Sequence, residues 1–213
     1  MNPSHVQTRI LACGNSGSGK TSWAVEMLKK WRALRIVFDP EGDFASRLGL
    51  PCYETPDEIA TAFGRDGIAC VNLTKDFPGN RAGAFEHFCK ATFRLCEHLN
   101  GPKVMVADEV QAMVNPKKSM PCWLARIMDE GRKHELDTLF VSNAVNRTHE
   151  AIRNQITMIA AFRTPGKRQQ EWLSDWGDFD PVEIANLGRG QFVIHNLDTD
   201  TWKRSHRNDA PSR

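Results

Sequence analysis

No stretch of this sequence approaches the ~20 consecutive apolar residues that a membrane-crossing helix requires. Nor does it open with a basic segment running into an apolar one; "MNPSHVQTRILAC" is not expected to be a secretory leader. An excess of one charge is also missing. Lys and Arg total 28 against 26 Asp and Glu, a net +2, so affinity for polyanions over the whole surface is not indicated and any nucleic-acid contact would have to be local. There is no CxxC pair: the six cysteines (Cys13, Cys52, Cys70, Cys89, Cys96 and Cys122) are scattered, several in apolar runs such as "IACVNL" and "FCKATFRLC". Buried free thiols in a reducing compartment are expected, not a disulfide or zinc framework. His87, His98, His134 and His195 likewise have no partner at metal-ligand spacing, and the tryptophans fall mostly at helical core spacing. These absences suit a soluble intracellular protein. The length of 213 residues suits one α/β domain, expected over residues 1–203, with a short basic and polar tail at 204–213.

What is present is alternation. "TRILAC" (Thr8–Cys13) reads as a first strand, and Trp23, Val25, Leu28 and Trp31 recur at helical spacing from Lys20 onward. "RIVFD", "GIACVNL", "KVMVADE", "TLFVSN" and "MIAAF" read as further strands. Between them, "TPDEIATAF", "AGAFEHFCKATFRLCEHL", "CWLARIMDEGRKH" and "RQQEWLSDW" read as helices. "QFVIHNL" and "TWKR" around "DTD" form an expected C-terminal β-hairpin. Such alternation predicts a mostly parallel sheet with helices on both faces.

The stretch "GNSGSGKT" (Gly14, Asn15, Ser16, Gly17, Ser18, Gly19, Lys20, Thr21) satisfies G-x-x-x-x-G-K-[ST], directly after a strand and directly before a helix. Glycines let backbone N–H groups turn inward around phosphates, and the helix N-terminus adds its positive end. Lys20 is expected to reach the β- and γ-phosphates, and the Thr21 hydroxyl to ligate Mg²⁺.

The loop alone does not say what the nucleotide is for. "VMVADE" delivers Asp108 and Glu109 to the end of a buried strand, where open α/β sheets bind ligands. Asp108 is expected to hold Mg²⁺, and Glu109 to accept a proton from attacking water. That pairing suits hydrolysis; a nucleotide kinase, whose acceptor is another phosphate, has no need of such a base. "DPEG" (Asp39–Gly42) fits the D-x-x-G of GTPases, but no N-K-x-D follows. "LGRGQ" (Leu187–Gln191) echoes a transporter signature in the wrong order. Both are set aside. In "DEGRKHELDTLFVSN", Asn143 stands at a strand tip where an amide can position water or sense a γ-phosphate. Arg132, at a helix end, has two readings: a surface residue, or a finger completing a neighbour's site.

"GNSGSGKT", "RIVFDPEGDF", "VMVADEVQ", "RKHELDTLFVSN" and "NRTHEAIRNQITMIAAFRT" together resemble the ordered motifs of the FtsK–HerA superfamily of ATP-driven DNA pumps. Within it, the chain is similar to genome-packaging ATPases of membrane-containing, tectivirus-type double-jelly-roll viruses. The resemblance covers Thr8 to Trp172. It implies a RecA-like (ASCE) core, a ring-shaped homo-oligomer (pentamer or hexamer), and double-stranded DNA moved into a preformed capsid. Capsid vertex or portal proteins are implied partners, in the host cytoplasm or at a virion vertex. By motif position Lys20 and Thr21 bind ATP and Mg²⁺, Asp108 and Glu109 are metal acid and base, Asn143 is the sensor and Arg132 the finger in trans. Glutamine is usual in the family where Asn143 stands, and a glycine near Glu135. Arg147, Arg153 and Arg163 are alternative fingers.

A DNA-contacting loop should be short and basic, because backbone contact works through counterion release and reads no sequence. "VNPKKSMP" places Lys117 and Lys118 just beyond Glu109; Arg81 in "FPGNRAG" and the group Lys203, Arg204 and Arg207 are alternatives. Rival functions are a Zot-type filamentous-phage assembly ATPase, a cellular HerA-like DNA-processing ATPase, and a nucleotide switch that moves nothing.

Overall fold

Apolar residues at a two-residue period build the centre of the protein. Along β1 (Arg9–Cys13), Ile10 and Ala12 pack on one side of the sheet while Leu11 and Cys13 pack on the other. In β5 (Lys103–Ala107), Val104 and Val106 join the first side, Met105 and Ala107 the second. Strands buried on both faces need helices on both, and the computed structural model, which describes residues 7–205, has them. On the first face lie α1 (Lys20–Lys30), through Ala24, Val25 and Leu28, and α2 (Asp43–Leu48), through Phe44 and Ala45. On the second lie α3 (Pro56–Asp66), α4 (Arg81–His98), with Phe85, Phe88 and Phe93, the short α5 (Val110–Met113), and α6 (Cys122–Glu130), with Leu124 and Ile127. The short α7 (Glu150–Arg153), α8 (Lys167–Gly177) and α9 (Pro181–Asn186) complete it.

The remaining strands are β2 (Leu34–Phe38), β3 (Cys52–Tyr53), β4 (Ile68–Val71), β6 (Leu136–Ser142), β7 (Met158–Phe162), β8 (Phe192–Asn196) and β9 (Thr201–Arg204). Their order is β3-β4-β2-β5-β6-β1-β7-β8-β9, parallel through β7 and antiparallel for the last two. The mostly parallel α/β sheet and the C-terminal hairpin expected from sequence are present. β6 is inserted between β1, which leads into the phosphate loop, and β5, which leads into the acid pair. That insertion is the arrangement named RecA-like above.

Some boundaries differ. The helix expected through His134 stops at Glu130, and Gly131–His134 tightens into a 3₁₀ turn. Glu135 then takes a left-handed conformation (φ 51°), which ends the turn, and its carbonyl accepts the Lys103 N–H at 2.8 Å. Arg204, expected to begin the tail, closes β9 and pairs with Glu183 (Nε–Oε1 2.6 Å). Positions 206–213 of that tail, Arg207 among them, lie outside the described residues. Four cysteines are buried, Cys52 is half-buried and Cys122 is exposed, all as free thiols. No described helix is long and apolar enough to cross a membrane.

Candidate nucleotide-binding and hydrolytic site

Parallel strands bring their C-terminal ends to one edge, and there the cleft forms. The phosphate loop leaves β1 between the ends of its two neighbours. Gly14 N–H donates to the Ser142 carbonyl of β6 at 3.3 Å, and Asn15 N–H to the Arg163 carbonyl beyond β7 at 2.9 Å. Gly14 has φ 147°, and a Cβ there would lie 2.8 Å from Phe162 Cβ, so no other residue fits. Gly19 is similarly confined: with φ 107°, its Cβ would meet Gly190 Cα at 2.9 Å. Lys20 starts α1, is buried, and donates from Nζ to the Asn15 carbonyl at 2.7 Å. Burial lowers its pKa to about 8, opposed by the charges of Asp108 and Glu109, so the ammonium persists at neutral pH. Ser16, Gly17, Gly19, Lys20 and Thr21 all line the cleft.

Across the cleft stand the acids. Asp108 is buried and accepts the Glu109 N–H at 3.0 Å. Burial pushes its pKa up to about 7; that N–H opposes the rise, and the carboxylates of Glu109, Asp39 and Asp43 add to it. Glu109 itself is left-handed (φ 51°), a backbone state that glutamate enters only when its surroundings impose it. Its Oε1 accepts from Asn143 Nδ2 at 2.7 Å. The sheet order explains this contact: because β6 lies beside β5, the tip of one reaches the carboxylate that follows the other.

The donor set fits a hard divalent cation. Asp108 and the half-buried Thr21 share the cleft, both offer oxygen, and Asp108 is crowded by the carboxylates of Glu109, Asp39 and Asp43.

Other residues named from sequence fall elsewhere. Arg132 is exposed at the N-terminal end of β6, beside a cavity lined by Gln7, Arg9, Thr157 and Asp198. The length of a seven-residue strand, roughly 23 Å, separates that end from its own phosphate loop. Arg147 and Arg163 are exposed beyond the ends of β6 and β7, whereas Arg153 packs over Trp172 (4.9 Å). Lys117 and Lys118 are exposed in the turn after α5, outside the cleft, where Asn115 organises both amides. The groove at Lys118 adjoins the groove at Arg81, since both are lined by Ala82 and Ala112; these two sequence alternatives occupy one surface. Lys203 instead borders Gly19 and Trp23.

Four cleft residues had not been singled out: Ser22, Asp43, Arg47 and Arg189. Ser22 follows Thr21 in α1, Asp43 belongs to "DPEGDF" after β2, and Arg47 lies in the last turn of α2. Arg189 belongs to "LGRGQ", set aside on sequence order, yet Gly190 N–H donates to the Ser18 carbonyl at 2.8 Å and docks that turn on the phosphate loop. The usable signal was direction: β8 runs antiparallel to β7, so whatever precedes Phe192 arrives at the ligand edge.

No protein-family model matches the chain, and no curated protein matches it at a significant level. Solved structures do match. The genome-packaging NTPase B204 of Sulfolobus turreted icosahedral virus 2, in complex with AMPPCP, superposes with a TM-score of 0.74 at 17% identity, over 93% of this chain and 97% of that one. VirB4 of Thermoanaerobacter pseudethanolicus gives 0.73 at 10% identity, over 99% and 92%. The type VII secretion ATPase EccC of Thermomonospora curvata gives 0.57 at 15% identity, over 92% of this chain but 25% of that one. The chain therefore has the P-loop ATPase fold that B204 and VirB4 share, and matches each of those two over nearly its whole length.

Proposed function

We propose that the chain is an Mg²⁺-dependent ATPase of the FtsK–HerA superfamily that assembles as a ring and drives double-stranded DNA into a viral capsid. The observation that carries hydrolysis is the Asn143–Glu109 contact at 2.7 Å in the cleft that also holds Lys20 and Asp108. A carboxylate steered by an amide at the terminal-phosphate end of a phosphate loop is placed to take a proton from water. Backbone N–H groups of Ser16, Gly17 and Gly19 and the Lys20 ammonium hold the phosphates, while the Asn15 and Ser18 N–H groups shape the loop by donating to the Arg163 and Asn15 carbonyls. Thr21 and Asp108 hold Mg²⁺, which when bound neutralises charge developing on the phosphate oxygens. Glu109 receives the water's proton as the terminal P–O bond breaks, giving ADP and phosphate. Arg132 is too distant to serve its own site and is available to an adjoining copy. Lys117 and Lys118, joined to Glu109 through one short helix, are the proposed contacts to the DNA backbone.

Packaging is favoured over secretion by extent, since the chain spans B204 almost entirely but a quarter of EccC. The comparable likeness to VirB4 favours, as second reading, a non-packaging ATPase of the same superfamily. The test is phosphate release measured with and without long duplex DNA while mass is followed in parallel. Stimulation by duplex in an assembled species is expected. A protein that hydrolyses ATP but remains single and indifferent to DNA is a switch, and the motor reading fails.

A further inference from the structure

We infer that Arg189 is a nucleotide-binding residue supplied by the same chain, its guanidinium contacting the β- and γ-phosphate oxygens of bound ATP. The inference rests on the nucleotide reading of the phosphate loop and adds a cation that neither the motif nor the resemblance assigns.

Four observations converge. Arg189 lines the cleft together with Lys20, Asp108, Glu109 and Asn143, the groups at the terminal-phosphate end. It is exposed there and makes no hydrogen bond or ion pair with any described residue, unlike Arg47, which donates to Ser22 Oγ at 3.2 Å. Its position is held from both sides. Gly190 N–H bonds the Ser18 carbonyl at 2.8 Å, and Gly188 N–H bonds Gln191 Oε1 at 2.6 Å, closing the turn whose apex is Arg189. Finally, the turn sits so near the phosphate loop that Gly19 admits no side chain against Gly190. A free guanidinium on a turn fixed to a phosphate loop matches the planar, doubly donating geometry that phosphate oxygens accept.

The test is titration of the wild type, Arg189→Ala and Arg189→Lys with AMPPCP and with AMP, alongside nucleotide-free thermal unfolding. Loss of a charge-assisted pair weakens AMPPCP about ten- to a hundredfold in Arg189→Ala. AMP binding should change by less than about threefold on the same scale, because it lacks the contacted phosphates. Arg189→Lys should recover part of the loss, and the exposed position predicts unchanged unfolding. Unaltered AMPPCP affinity in Arg189→Ala overturns the inference, as does an equal loss for AMP and AMPPCP, which would mark a loosened loop. If the wild type itself ignores AMPPCP, the proposed function fails along with it.

Discussion

Replacing Asp108 with asparagine should stabilise the nucleotide-free protein, and only where the carboxyl would otherwise be ionised. In the folded chain this carboxyl titrates at about 7, against an ordinary value of 3.8. A raised folded value means that the group's contribution is fully present below 3.8 and is lost as pH rises through about 7. At about 1.4 kcal/mol per pH unit, that loss reaches about 4 kcal/mol near pH 8 and is under about 2 kcal/mol near pH 5. Asparagine keeps the acceptor for the Glu109 N–H but introduces an amide without a partner, which costs roughly 1–2 kcal/mol at any pH. The net expectation is a gain of about 2 kcal/mol near pH 8 and none near pH 5. Urea unfolding of both proteins at the two pH values measures the difference directly. A gain that is the same at both, or a loss that deepens with pH, would refute the reasoning. Mg²⁺ with ATP should then stabilise the wild type strongly and the variant little, because the cation relieves the same carboxylate.

Glu109→Gln should lower phosphate release by at least about a hundredfold while AMPPCP binding persists, read by steady-state assay and titration. Gly14→Ala forces a Cβ into Phe162 at a positive φ; a cost of at least about 2 kcal/mol in chemical denaturation and loss of nucleotide-induced stabilisation are expected. Glu135→Gly removes a left-handed glutamate that makes no side-chain hydrogen bond to a described residue and should stabilise the fold by about 0.5–1 kcal/mol in the same assay. Mixing Arg132→Ala with Glu109→Gln subunits should restore hydrolysis that neither shows alone; inactivity at every ratio would remove Arg132 from the shared site.

The sheet was legible because its strands are long enough to show a pattern. "KVMVA" and "TLFVS" each carry three consecutive apolar residues at their centre, as strands covered on both faces do. The helices read correctly were those long enough for an apolar stripe, such as Arg81–His98. Missed were α2, α5, α7 and α9, at four to six residues, and the two-residue β3; none spans enough turns or alternations to register. In the site, the phosphate loop announced itself because its residues are contiguous. Asn143 and Glu109 were each visible, but their contact depends on β6 entering between β1 and β5, a fact about sheet order. Arg189 was discarded for the same reason, since chain order told against it while strand direction placed it in the cleft. The left-handed backbone at Glu109 and Glu135 left no trace in composition, because glutamate rarely takes it.

The phosphate loop is wedged between Phe162 on one flank and Gly190 on the other, with amides tied to the ends of two further strands. A cradle gripped in this way is already shaped when a nucleotide arrives. Little chain entropy remains to be surrendered on binding, so affinity is diminished chiefly by the ligand's own immobilisation and by dehydration of its charges. The scaffold is held where the phosphates rest.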